Sequence, residues 1–186
     1  MIDLDLLLDY HYWARDRMFA ALARLSPEAY AADRGNSFRS IRDTVVHVYS
    51  AEWSWHSRWR GHSPSAHLSP EAFPDVAAIR SAWLELEPQV RAFVGGLGSH
   101  DRERVFDYFA LNGTPQQSVF WHMVQHVVNH ATYHRGQVTT MLRQAGAEPP
   151  KSMDLITFYR ERGTPDVRPD SGRPSGVREA PGHPVS

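Results

Sequence analysis

Apolar residues recur at helical spacing over most of this chain. Leu7, Leu8, Phe19 and Leu22 supply one stripe of a segment from about Leu4 to Leu25. Asp3 and Asp5 suit its start, because carboxylates oppose the positive end of the helix dipole. Ser26-Pro27-Glu28 reads as an N-cap, a first-turn proline and an acidic first turn, so a short helix follows. After a turn at Gly35-Asn36-Ser37, a second long helix is expected through about Arg60, ending near Gly61. Three prolines make 62–74 a loop. Val76, Ile79, Trp83, Leu86, Val90 and Phe93 then mark a third long helix, begun at Pro74-Asp75 and stopped by Gly95-Gly96. The alternation from Arg104 to Leu111 predicts a short extended piece with Asn112-Gly113 as its turn. The last long helix is expected from near Pro115 to near Gly146.

Four long amphipathic helices predict an all-α four-helix bundle with short accessory segments. Pro149-Pro150 interrupts the chain before a short segment, Met153–Arg160, that suits a capping helix. From Gly163 onwards there are five prolines and four glycines with hardly any large apolar groups. Residues 1–162 therefore read as one domain and 163–186 as a disordered tail. The length of 186 residues is enough for one substantial core and short for two.

Charge and composition narrow the partners. Twenty basic residues against 21 acidic ones give a formal charge of -1, and no Lys/Arg run offers a nucleic-acid footprint. There is no cysteine, which excludes disulfides, thiolate ligands and cysteine nucleophiles. Neither a signal peptide nor a membrane span is legible, so a soluble cytoplasmic protein is expected.

Candidate chemistry lies in the last long helix. His122, His126, His130 and His134 recur every four residues. At roughly 100° per residue, Phe120, Val124, Val127, Val138 and Leu142 define its core face. His134 falls within about 40° of the centre of that face and His130 about 80° away, at its edge. His126 reaches a cleft at most, and His122 points to solvent. An i,i+4 pair of neutral imidazoles holds both rings at the separation a first-row metal requires. The alternative is a hydrogen-bonded pair in a polar part of the core. A third ligand must come from another helix. His47, between Val46 and Val48, is favoured; His11 competes, and His56 points almost opposite to His47.

Glu52 shares a face with Ile41, Val45, Val48, Trp55 and Trp59, an unusual place for a bare carboxylate. It either orients a ligand or accepts a proton, or it pairs with an arginine or reaches solvent at a helix crossing. Gln137 follows the flank of His130 and His134 and is a candidate contact to ligand or substrate, or an interhelical hydrogen bond. Trp13, Trp53 and Trp55 supply a pocket wall or core. His126, Tyr133, Arg15 and Arg42 are candidate substrate contacts, with packing, salt bridging or hydration as the ordinary alternatives. Ala131 stands where His-Glu-x-x-His would carry its glutamate, so peptide hydrolysis of the zincin kind is excluded. A Glu-rich di-iron site and a nucleophile-elbow serine find no support either.

Ile41-Arg-Asp-Thr-Val-Val-His47, Ala51-Glu52-Trp53 and Val127-Val-Asn-His-Ala-Thr-Tyr-His-Arg-Gly-Gln137 resemble motifs of the DinB/YfiT-like family of metal-dependent enzymes. Tyr12-Trp13-Ala14 and Met153-Asp154-Leu155-Ile156 extend the resemblance over about residues 1–160. It implies a four-helix bundle, commonly a homodimer, with one divalent ion per chain on His47, His130 and His134. Zinc or nickel comes first, then iron or manganese. Thiol S-transferases and a thiol-dependent maleylpyruvate isomerase in the wider superfamily imply thiol S-transfer through a metal-stabilised thiolate, with a small thiol as cosubstrate and a small-molecule substrate. Hydrolysis by metal-activated water and a noncatalytic metal-binding bundle are the alternatives.

Overall fold

A computed structural model describes residues 3–98 and 100–163. The tail expected to be disordered lies, but for Gly163, outside the described residues. Four long helices form the bundle: α1 (Leu4–Leu22), α3 (Ile41–Trp59), α4 (Val76–Gly95) and α5 (Phe120–Gln144). Short helices α2 (Pro27–Ala31) and α6 (Leu155–Glu161) are accessory, and single 3-10 turns occupy Pro70–Ala72 and Asp101–Glu103. The all-α bundle expected from the periodicity is the architecture found. No described helix is long and apolar enough to cross a membrane.

Local sequence sets the helix starts. The side chains of Asp3, Ser26, Ser40 and Asp75 each accept a backbone N–H three residues on, at Leu6, Ala29, Asp43 and Ala78. Each such cap satisfies an otherwise orphaned donor and stabilises its helix by about 1 kcal/mol. The first helix ends at Leu22 rather than Leu25, because Arg24 and Leu25 tighten into a turn onto Ala21 and Leu22. Ile41, Val45, Trp83, Phe120, Val124, Val138 and Leu142 meet in one continuous core. A smaller cluster of Tyr10, Ala14, Val128 and Phe158 seats α6 against α1 and α5.

One boundary departs from expectation. Pro115 does not open the last helix. It begins strand β2 (Pro115–Val119), which pairs antiparallel with β1 (Val105–Phe109), and α5 starts only at Phe120. Gly113, at φ 79°, and the Asn112 side chain, which accepts the Thr114 N–H, close the predicted turn. A proline is tolerated because both strands of a two-stranded ribbon are edges. Phe106 packs on Phe120 at 5.4 Å between ring centroids, so the hairpin is anchored to the core where α5 begins.

Glu52 also resolves differently from an arginine pair. It is 1% exposed and receives three hydrogen bonds: His11 Nε2 at 2.8 Å, Tyr12 Oη at 2.7 Å and Trp83 Nε1 at 2.7 Å. Burial alone raises its pKa, but these donors outweigh it and the carboxyl is held below its ordinary value. Burial keeps His11 neutral, so Nε2 carries the ring proton and the unpartnered Nδ1 is a lone pair rather than a stranded donor. The clamp joins α1, α3 and α4. Replacing Glu52 by Ala strands three buried donors and should cost roughly 3 kcal/mol of stability, measured by urea unfolding. A loss below about 0.5 kcal/mol, the level of a surface substitution, would show the clamp to be incidental.

Candidate metal centre

The site is built where α3 crosses α5. His130 and His134 are one turn apart on α5, and His47 faces them from α3. Nε2 of His130 lies 3.1 Å from Nε2 of His47 and 3.1 Å from Nε2 of His134. Among the described residues these three form the group of side chains able to share one ion. His134 is buried and the other two are half-buried. The wheel order holds: His126 and His122 are progressively outside the cluster, with His126 5.6 Å from His130 by ring centroid and His122 edge-on to Trp121.

Protonation explains why these rings suit a cation. Burial pushes His47 down to about 4 and His130 to about 3, each reinforced by neighbouring imidazoles, and burial also lowers His134. All three are therefore neutral at pH 7. Nδ1–H of His134 donates to Gln137 Oε1 at 2.7 Å, which leaves its Nε2 as a lone pair. His130 Nε2 touches two other ring nitrogens but offers one position for a proton. Only one of the two 3.1 Å contacts can then be a hydrogen bond. The other brings nitrogens together without a hydrogen between them, a repulsion that a cation removes. Nitrogens about 2.1 Å from a shared ion stand roughly 3.0 Å apart at octahedral and roughly 3.4 Å apart at tetrahedral angles, a range that includes the 3.1 Å edges here. The residues present fit a single divalent ion.

The remaining candidates sort by contact. Gln137 stands behind His134 and fixes its tautomer. Glu52 makes its hydrogen bonds to His11, Tyr12 and Trp83 and none to the triad. His11 is committed to that carboxylate and does not compete as the third ligand. Arg15 is buried against Glu87 and Asp16, and Arg42 pairs with Asp43 and Glu71, so both serve as ion-pair partners. Trp55 approaches the site through His126, at 5.4 Å, whereas Trp13 packs with Phe158. Tyr133 is largely exposed beside His134.

Two neighbours were not legible in the sequence. Phe38, from the turn before α3, stacks on His47 at 4.1 Å and meets His134 edge-on at 5.3 Å. His67, from the proline-rich loop, lies 5.2 Å from His47, and its Nδ1 is 3.2 Å from Ser50 Oγ. Neither sits in a periodic segment, so no spacing could have marked them.

The expectation of thiol S-transfer is corrected here. The chain contains no cysteine, so neither a thiolate ligand nor a thiolate nucleophile exists in the protein. The donors around the site are imidazole nitrogens, and no group present is specific for a thiol.

Two outcomes follow from this geometry. Below pH 6.5, the ordinary histidine value, the unfolded chain takes up protons that native His47 and His130 refuse until about pH 4 and about pH 3. These two groups thus leave the metal-free protein's stability unchanged above 6.5 and lower it on acidification, with the loss complete below the native values. Urea unfolding from about pH 7 to about pH 5 should show that fall; stability constant or rising over this range contradicts neutral buried rings. Gln137→Leu frees the His134 tautomer and should weaken divalent-ion affinity about tenfold or more, read by competition with a chelator.

The comparisons with known proteins agree with this architecture. The chain is 28% identical over 164 residues to "Protein DinB" of Bacillus subtilis (strain 168), an alignment covering 82% of this chain and 92% of that protein. The crystal structure of a DinB-like protein from Bacillus cereus ATCC 10987 superposes with a TM-score of 0.61 at 18% identity, covering 78% of this chain and 95% of the other, and so shares its fold. The model of the DinB family matches residues 1–164, and the chain belongs to that family.

Proposed function

We propose that this protein is a divalent-metal-dependent hydrolase of a small-molecule substrate, with His47, His130 and His134 as the ligands. The observation that carries this reading is the convergence of three neutral imidazole Nε2 atoms with no fourth protein ligand beside them among the described residues. His47, His130 and His134 would hold the ion with neutral donors only, and the chemistry it would supply is the activation of water at neutral pH. Nitrogen-only donors favour zinc or nickel, then iron or manganese. A homodimer and a cytoplasmic setting are part of the same proposal, supported by the family resemblance and the sequence composition.

The chain's own residues supply orientation and a donor. Gln137 holds His134 in the tautomer that presents Nε2. Phe38 covers one face of the His47 ring and limits its rotation. The Leu68 N–H donates to Ser50 Oγ at 2.9 Å, and that hydroxyl is placed to donate to His67 Nδ1 at 3.2 Å. In that arrangement His67 carries its proton on Nε2. Burial lowers its pKa, with Arg58 acting in the same direction, so the ring is neutral and acts as a hydrogen-bond donor. A developing oxyanion on a substrate carbonyl is the group such a donor would stabilise. Glu52, by this reading, is a positioning residue: it sets the orientation of α3 and with it the His47 ring.

The test starts from metal content. Protein purified without a polyhistidine tag should hold one divalent ion per chain, and His130→Ala should lose it. A panel of small esters and amides should be hydrolysed without added thiol, with turnover lost to a chelator and restored by the ion. His67→Phe should keep the metal and lower kcat about tenfold to a hundredfold. No metal above background after reconstitution would overturn the ligand assignment. Full metal content with no turnover on any substrate would favour a noncatalytic metal-binding bundle.

A further inference from the structure

Helix α5 is two-sided. His130, His134 and Gln137 occupy one flank, while Thr132, Arg135, Gly136, Thr139 and Arg143 lie roughly opposite, near 180° around the helix. This second flank lines a cavity of about 360 Å³ closed by Tyr10 of α1 and by residues 150–154. Within it Arg135 is only 2% exposed, yet no carboxylate pairs with it among the described residues. The hydrogen bond it makes is from Nη2 to Thr132 Oγ1 at 2.7 Å, and its Nε–H is buried without an acceptor. Thr132 in turn donates to the Val128 carbonyl, so it brings no charge to the pair.

A buried cation without an ion-pair partner is costly, and although the buried Glu52 carboxylate attracts Arg135 through the core, it leaves the Arg135 Nε–H without an acceptor. On the cavity side the lining adds more positive charge. Arg143 and Lys151 are exposed at the same cavity, and Lys151 is the sole lysine of the chain. The acid lining the cavity, Asp154, accepts a hydrogen bond from Ser152 Oγ at 3.0 Å, which leaves three cations against one carboxylate. The cavity wall is held rigidly: Tyr10 Oη donates to the Met153 carbonyl at 3.0 Å, and its ring lies 5.6 Å from the Arg135 guanidinium.

We propose that this cavity is a second binding site, separate from the histidine centre, for a small phosphate-bearing anion. Arg135 provides the guanidinium N–H donors that Thr132 leaves free, and Arg143 and Lys151 provide the rim charge that attracts and screens the dianion. The volume admits a phosphate with a small organic group attached. A free carboxylate offers the same kind of acceptor with half the charge, so it should bind more weakly.

Inorganic phosphate is the probe, titrated calorimetrically into the full-length metal-loaded protein at fixed ionic strength against chloride, with acetate in parallel. Saturable binding of one phosphate per chain is expected, with acetate much weaker. Arg143→Ala/Lys151→Ala changes exposed residues remote from the triad, so it should stay folded, keep its metal and bind phosphate at least severalfold more weakly. Arg135→Gln should weaken binding about tenfold or more. Absence of saturable phosphate binding overturns the proposal. So does binding that the double variant leaves unchanged, since phosphate held at the histidine centre would behave in that way.

Discussion

A carboxylate buried among helices must have its oxygens satisfied, and Glu52 meets that demand with donors from three directions. His11 and Tyr12 reach it from α1 and Trp83 from α4, so one side chain of α3 fixes the relation of three helices. The consequence extends to the metal centre. His47 lies five residues before Glu52, roughly 140° around α3. With Glu52 turned toward α1 and α4, His47 is turned the other way, onto α5. The candidate centre therefore depends on a residue that makes no hydrogen bond to it.

The same structure handles charge in two opposite ways. At the histidine cluster, burial and mutual repulsion strip the rings of protons and leave lone pairs converging on one point. A cation is what that arrangement lacks. On the opposite flank of α5, the unpaired Arg135 guanidinium is buried with two further cations beside it. Glu52 attracts that guanidinium from within the core, and the proposed anion would meet it from the cavity side. Arg15, by contrast, is paired with Glu87, and the Glu52 carboxylate receives three hydrogen bonds. The Arg135 flank also borders solvent-accessible space, which is how a ligand site differs from a structural ion pair.

Two loop residues complete the centre without belonging to the bundle. Phe38 and His67 come from segments with no helical period, and they approach His47 because Ser40 caps α3 just after Phe38 and Ser50 accepts the Leu68 N–H. One of these bonds is a local helix cap and the other ties the loop to α3, each from a backbone N–H to a serine hydroxyl. The hairpin likewise takes its place because Phe106 finds Phe120, overriding the helix-start signal that Pro115 gives.

The four long helices, most of their ends and the orientation of His130 and His134 were legible in the linear sequence. A periodic apolar stripe states which way a helix must face, and residues on one helix have fixed angular relations. The pairing of His47 with that histidine pair was legible only as a preference, strengthened by motifs resembling a known family. Partners of Glu52, the commitment of His11, the approach of Phe38 and His67 and the isolation of Arg135 were not legible at all. Each depends on which atoms from separate elements come within about 3–5 Å, and a helical period carries no information about distances between helices. Periodicity fixed the faces; packing decided what each face meets.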